Sequence, residues 1–202
     1  MDVCCNRKLM NRIQAEELLW EAVKCNPGMW GEHSRTAAYI AETIADACDD
    51  LDGESAFVMG LLHDIGRKFG VSGLKHVVDG YVYMTELGEE GIAKICLTHS
   101  FNNRKLNEYI GRIDISVQQQ EWLSSYLKAI QYDDYDRLIQ LCDALAGNGH
   151  VMKLEERMLD VKKRYGYYPQ AKWDTNFKLK EYFERKTGWN LYELLQKETW
   201  HL

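Results

Sequence analysis

Five residues of chemically versatile type fall where apolar residues are expected: His33, His63, Asp64, His99 and Asp143. His33 stands four residues before Ala37 and extends the stripe Ala37, Ile40, Ala41, Ile44, Ala45, Cys48, which follows i, i+3, i+4, i+7, i+8, i+11. His63 and Asp64 end the unbroken apolar run from Ala56 to Leu62. His99 continues Ile92, Ile95 and Cys96, and Asp143 lies within Tyr135, Leu138, Ile139, Cys142 and Ala146. A carboxylate on a core face is costly unless it is paired, hydrogen-bonded or bound to metal. Taken singly, an inward histidine is more often a hydrogen-bonded core residue than a ligand, and Asp143 could equally cap a helix or pair with an arginine. Collected on four helices, the five point to one interior polar site. Neutral imidazoles and carboxylates suit Fe, Mn, Zn or Mg better than a soft metal. Water on such an ion can lose its proton near neutral pH and attack phosphorus or carbon.

The elements that must carry these residues read as helices. Only two prolines interrupt the chain, Pro27 in Asn26-Pro27-Gly28 and Pro169 after Gly166-Tyr167-Tyr168. The spacing predicts a helix from Trp30 to Cys48, and a short buried one over Ala56–Leu62 with caps from Asp52 to Ser55 and Gly66 and Gly70 beyond it. Stripes through Ile92–His99 and Tyr135–Ala146 predict two more, the second closed by Gly147-Asn148-Gly149. Further helices are expected over Val151–Arg164, Asn176–Lys186 and Trp189–Thr199, with irregular chain over Asn102–Ser116 and Gly166–Thr175. No segment alternates with period two, so the class is all-α. At 202 residues a single domain is expected, with a metal-binding core over about 28–165 and an aromatic-rich helical tail over about 166–202.

The run Gly60-Leu61-Leu62-His63-Asp64-Ile65-Gly66-Arg67-Lys68 resembles the doublet that names the HD superfamily of metal-dependent phosphohydrolases. His33 lies 30 residues before His63, and Asp143 lies 79 residues after Asp64, as that pattern asks. The resemblance implies an HD-like helical bundle with additional C-terminal helices. It implies one or two divalent ions held by His33, His63, Asp64 and Asp143. It also brings in His76, within Leu74-Lys75-His76-Val77-Val78-Asp79-Gly80, and His99, which match the two histidines of the two-metal branches. Val77 and Ser100 depart from that branch's commonest residues. The implied binuclear centre has Asp64 bridging, His33, His63 and Asp143 on one ion, and His76 and His99 on the other. A mononuclear centre with His76 and His99 turned to substrate is the alternative. The implied activity is hydrolysis of a small phosphorylated molecule, nucleotides first, by metal-activated water. Asp64 and Arg67 are the implied catalytic residues, with Arg35, Arg67 and Lys68 holding phosphate. Two rival readings remain: a di-iron oxygenase on the same ligand types, and a non-catalytic sensor of nucleotide or metal.

Charge and composition narrow the partners. With 25 basic and 31 acidic residues the chain carries a formal charge of −6, which argues against general nucleic-acid binding. No run of about 18 apolar residues is present, and the first residues are polar, so neither a membrane span nor a signal segment is expected. Six scattered cysteines without a C-x-x-C pair suit reduced thiols in a cytoplasmic protein. His150 in a turn, His201 near the end, and Glu155 and Glu156 on a charged face are expected to face water, as are Lys75 and Lys105. Tyr167, Tyr168, Trp173, Phe177, Tyr182, Phe183, Trp189, Tyr192 and Trp200 make the tail aromatic. The plain reading is two helices covering the core with large side chains. The sharper readings are a wall that stacks on a nucleotide base, with Lys172, Lys178, Lys180, Arg185 and Lys186 interleaved, or a homodimer interface.

Overall fold

A computed structural model describes residues 10–196. The expected all-α class holds: among these residues no strand forms beyond one isolated antiparallel bridge between Ala146 and Val151. Helix α1 (Arg12–Cys25) starts in a reciprocal cap, in which the Asn11 side chain accepts from the Gln14 N–H and the Gln14 side chain accepts from the Asn11 N–H. Helices α2 (Trp30–Asp46) and α3 (Gly53–Leu62) pack directly on one another. Asp52 caps α3, accepting from the Ser55 N–H at 2.7 Å. At Gly60 the two helices approach so closely that a Cβ would stand 2.8 Å from Ala38 Cα and 3.0 Å from the Ala37 carbonyl.

A 3-10 turn over Ile65–Phe69 leads into α4 (Lys75–Glu86) and α5 (Glu90–Thr98). Irregular chain follows, broken by a short turn at Leu106–Glu108. The remaining helices are α6 (Val117–Ala129), α7 (Asp134–Leu145), α8 (Leu154–Tyr165), α9 (Gln170–Thr187) and α10 (Leu191–Gln196).

Three apolar clusters hold these elements. In the first, Ile40, Ala41 and Ile44 of α2 meet Leu138, Ile139 and Cys142 of α7, and Phe183 and Leu191 from the tail close over them. In the second, Ala38 and Leu61 sit with Ala15 and Leu19 of α1 and Cys96 of α5. The third joins Val77 and Val78 of α4 to Leu97, Phe101, Leu123 and Leu127. Burial of each large side chain in such clusters contributes about 1.5–3 kcal/mol. Because α2 feeds two clusters, and α3 packs on α2, α5 and α7 while α4 packs on α5, the ends of α2, α3, α4, α5 and α7 are drawn to one place.

The tail follows the plain reading. Tyr168, Trp173, Phe177, Tyr182 and Tyr192 pack against the first cluster, while Tyr167 and Trp189 remain exposed. Helix α9 begins at Gln170, so the expected irregular stretch of 166–175 shrinks to the residues before it. Gly166 ends α8 with φ +82°, and Pro169 presets the entry to α9 with φ −61°. The C-terminal helix runs Leu191–Gln196, and the rest of its expected span lies outside the described residues, as do Trp200, His201, Cys4 and Cys5. Cys25, Cys48, Cys96 and Cys142 are free thiols. No helix among the described residues is long and apolar enough to cross a membrane.

Candidate metal centre

The six histidine and aspartate residues singled out from the sequence converge. Each sits at or near a helix end, where the chain can turn a side chain inward without breaking its own ladder. His33 is in the first turn of α2, His63 follows the last residue of α3, and Asp64 precedes the 3-10 turn. His76 is in the first turn of α4, His99 follows α5, and Asp143 is in the last turn of α7. His33, His63, Asp64, His76 and His99 are all buried, and Asp143 is partly open to a cavity.

Every one of the four histidines hands its Nδ1 to a backbone carbonyl: His33 to Ala146 at 3.2 Å, His63 to Gly60 at 2.7 Å, His76 to Gly73 at 2.5 Å and His99 to Ile95 at 3.2 Å. A carbonyl only accepts, so Nδ1 carries the proton and each ring presents its Nε2 lone pair. Metal-ligating histidines are oriented in this way. The Nε2 atoms then face carboxylate oxygens. His33 Nε2 lies 2.9 Å from Asp143 Oδ1, His76 Nε2 lies 3.1 Å from Asp64 Oδ1, and His99 Nε2 lies 3.5 Å from the same oxygen. His63 Nε2 lies 3.9 Å from both Asp64 Oδ2 and Asp143 Oδ1. Acceptor facing acceptor in a buried site requires a proton or a cation between them. Three of these atoms, His63 Nε2, Asp64 Oδ1 and His76 Nε2, are buried without a hydrogen-bond partner among the described residues.

The ligand atoms fall into two groups that share Asp64. One contains His33, His63 and Asp64, the other Asp64, His76 and His99, and within each group the atoms lie within 4.8 Å of one another. Ligands about 2.0–2.2 Å from one ion lie at most about 4.4 Å apart, so each group is close to the size of a coordination shell. Asp143 adds a further carboxylate beside His33 and His63.

Electrostatics leave the ligands in their binding forms. Burial works against ionisation of Asp64, but Arg67, His76 and His63 outweigh it and hold the carboxyl well below the usual range. Burial likewise opposes ionisation of Asp143, and the His33 side chain beside it, with His63 and His99 near, holds its carboxyl low. Burial pushes His99 down to about 3 and lowers His63 too, so both rings stay neutral. Neutral imidazole with ionised carboxylate is the state a divalent cation needs.

Beside the ligands opens a cavity of about 470 Å³, within the usual range for small-molecule sites. His76, Asp143 and Ser100 line its inner end. Arg67 lines it as well, its Nε donating to Asp64 Oδ2 at 2.5 Å. Arg35 and Lys68 are not among the lining residues. The Lys68 ammonium lies 3.8 Å from the centre of the Tyr83 ring, turned onto that aromatic face. Helix α8 and the tail supply much of the wall: Arg157, Arg164 and Tyr165 from α8, then Tyr168 before α9, and Lys172 and Asn176 from α9, with Tyr109 and Arg112 from the irregular stretch. Apart from Lys172 and Tyr168, which the sequence offers only among several basic and aromatic residues of the tail, these carry no mark in the sequence reading. Their available signal was the spacing of Arg157, Val161 and Arg164, which puts two arginines on one helical stripe with an apolar residue.

The arrangement of His, His-Asp and a distant Asp on an all-α bundle defines a class of metal-dependent hydrolases. The HD domain profile matches residues 30–148, more than half of the chain. The protein therefore belongs to the HD domain family, a superfamily of metal-dependent phosphohydrolases whose His/Asp cluster is suited to divalent metal. Comparison with curated proteins and with solved structures gave no match.

Proposed function

We propose that this protein is a metal-dependent phosphohydrolase that cleaves a small phosphorylated substrate of the nucleotide class. One observation carries the reading: unpartnered lone pairs of His63 and His76 converge on a shared, ionised Asp64, and His76 and Asp143 open this cluster to a cavity walled by arginine and lysine. His33, His63, Asp64 and Asp143 would hold one divalent ion, and Asp64, His76 and His99 a second. A bound ion supplies Lewis acidity toward a phosphoryl oxygen and an activated water near neutral pH. The backbone carbonyls on the four Nδ1 atoms fix the rings for that task. Arg67 holds Asp64 in place through Nε, and its remaining guanidinium N–H groups are available to phosphate oxygens, where they would offset charge developing in the transition state. In the overall reaction water adds to phosphorus and the bond to the leaving oxygen breaks. The products are phosphate and an alcohol or a shorter phosphate chain.

The test is metal analysis of the purified protein, followed by phosphate-release assays on a nucleotide panel with Mn, Fe, Mg and Zn. Asp64→Ala should lose bound metal from both groups and all phosphate release. Unchanged metal content in that variant would overturn the assignment of the centre. Oxygen uptake with iron bound and no phosphate release would replace hydrolysis with oxygenase chemistry, and ligand binding without turnover across the whole panel would make the protein a sensor.

A further inference from the structure

The five cations that line the cavity are not equivalent. Arg67 is engaged by Asp64 and Arg112 by Asp114 at 3.1 Å, while Arg157 and Arg164 share Asp160 at 3.5 and 3.1 Å. Lys172 alone among them has no carboxylate oxygen within 4.0 Å among the described residues. Its Nζ donates to the Ser100 carbonyl at 2.8 Å. An ammonium carries three N–H donors, so this bond leaves two without a partner among the described residues. Burial lowers the Lys172 pKa, and the carboxylates of Asp143 and Glu108 at longer range act against that shift. A half-buried ammonium with idle donors is costly until an anion meets it.

Its place in the cavity is fixed from both sides. Ser100 follows His99, so the hydrogen bond ties Lys172 to the chain leaving the candidate metal centre. Tyr168, Lys172 and Asn176 are four residues apart and line the same wall. Asn176 is fully buried and anchors that wall, donating to the Tyr168 hydroxyl at 2.9 Å and accepting from Asn102 Nδ2 at 2.7 Å. From α8, Arg157 lines the cavity with its Nε buried and without a hydrogen-bond partner among the described residues. Arg157, Tyr168, Lys172 and Asn176 all lie beyond residue 148, where the family match ends.

We propose that Lys172, assisted by Arg157, is the subsite that binds a phosphate group of the substrate, and that α8 and α9 thereby set substrate choice for chemistry carried by the family's own segment. Phosphate fits because its several acceptor oxygens suit the ammonium and guanidinium N–H donors that Lys172 and Arg157 bring to one cavity. The assignment rests on the phosphohydrolase reading above.

Inorganic phosphate is the probe, titrated by calorimetry into metal-loaded wild type, Lys172→Met and Lys178→Met. Met keeps the length and apolar stem of the lysine, and Lys178 is an exposed residue of the same helix. Loss of a charge-assisted hydrogen bond predicts phosphate binding weakened at least about tenfold in Lys172→Met. Lys178→Met should stay within about twofold of wild type. Equal affinity of wild type and Lys172→Met overturns the assignment, and so does a wild type that binds no phosphate. Wild-type protein gives a second measurement that needs no variant to fold. Saturating phosphate should slow acetylation of Lys172, followed by peptide mass spectrometry, and leave Lys178 unchanged; equal labelling of Lys172 with and without phosphate overturns the proposal. Metal analysis of the same samples separates the two levels. A wild type that holds no divalent metal overturns the hydrolase reading. Unchanged phosphate affinity in Lys172→Met with metal in place removes the Lys172 assignment alone.

Discussion

Gly66→Ala tests how the centre is assembled. Gly66 lies in the 3-10 turn that follows Asp64, and it packs against the first turns of α4, which carries His76. A Cβ on Gly66 would stand 2.0 Å from the His76 carbonyl oxygen and 2.5 Å from the Gly80 nitrogen, where ordinary contact begins at 3.4 Å. Both obstacles are backbone, so the turn and α4 must part by more than 1 Å. Gly66 has no positive φ, so without the clash alanine would stabilise the protein by about 0.4–1 kcal/mol through the unfolded chain. The sign of the effect therefore reports the contact itself. Overpacking against backbone should cost about 3 kcal/mol, the upper end of the usual range. For a chain of this size that lowers the thermal midpoint by about 6–12 °C. Metal sites tolerate errors of about 0.2 Å in ligand distance, so a displaced His76 should also reduce binding at the group of Asp64, His76 and His99. Differential scanning calorimetry and metal analysis of one preparation measure both effects. A variant that melts within about 2 °C of wild type and holds the same metal would refute the reasoning.

Two further outcomes follow from buried charge. In the metal-free protein the folded pKa of His99 is lowered to about 3 and that of His63 is lowered as well, from a reference of 6.5. The unfolded chain thus binds more protons below about pH 6.5, so stability is full above that pH and falls through the acid range at about 1–3 kcal/mol per pH unit. The depressed carboxyls of Asp64 and Asp143 add to the loss below about pH 4. Thermal midpoints that stay flat or rise from pH 7.5 to 5.5 would contradict this. Lys94 pairs with Asp133 at 2.7 Å and with the fully buried Asp136 at 2.5 Å. Lys94→Met leaves Asp136 with only the Thr98 hydroxyl and the Asp133 N–H, which should cost about 2–4 kcal/mol in urea unfolding; a loss below about 0.5 kcal/mol would show that these two donors suffice.

What the sequence makes legible follows the strength of its apolar stripes. Helices α2 and α7 have continuous apolar faces, and a histidine or aspartate interrupting them stands out, which is why the amino-acid pattern alone reveals His33 and Asp143. Helix α1 buries only Ala15, Leu19 and Ala22, and α6 only Leu123 and Leu127, so their stripes are too thin to read. Both are announced instead by caps, Asn11 with Gln14 and Ser116 with Gln119, whose hydrogen bonds involve no apolar residue. The start of α9 is obscured because Gln170, Lys172 and Asp174 look like loop, while Pro169 in fact presets its first turn. The cavity wall is the least legible part. A cation on a helix is by default a solvated one, and only tertiary packing turns Arg157 and Lys172 toward an interior space.

The same packing explains why a chain of net charge −6 can present a cationic cavity. The carboxylate beside the arginines of α8 is local: Asp160 is half-exposed and serves both Arg157 and Arg164, each one turn away on the same helix. A partly exposed carboxylate shared between two arginines holds their side chains in position and interacts only weakly with either one. Under the proposed function an entering phosphate, partly desolvated inside the cavity, would meet the same guanidinium groups in a lower dielectric than Asp160 does at the surface. At the inner end the balance is different. Asp64 is buried, and Arg67 holds it from outside the two ligand groups. Exchanging Asp64 for phosphate at Arg67 would leave a buried carboxylate short of its partner, so under the proposed function Arg67 would serve substrate through its other N–H groups while keeping the bond to Asp64. Specificity and chemistry are thus proposed to draw on cations of different kinds: Arg67 is bound to the centre, Arg157 and Arg164 share one exposed carboxylate, and Lys172 has none within 4.0 Å among the described residues.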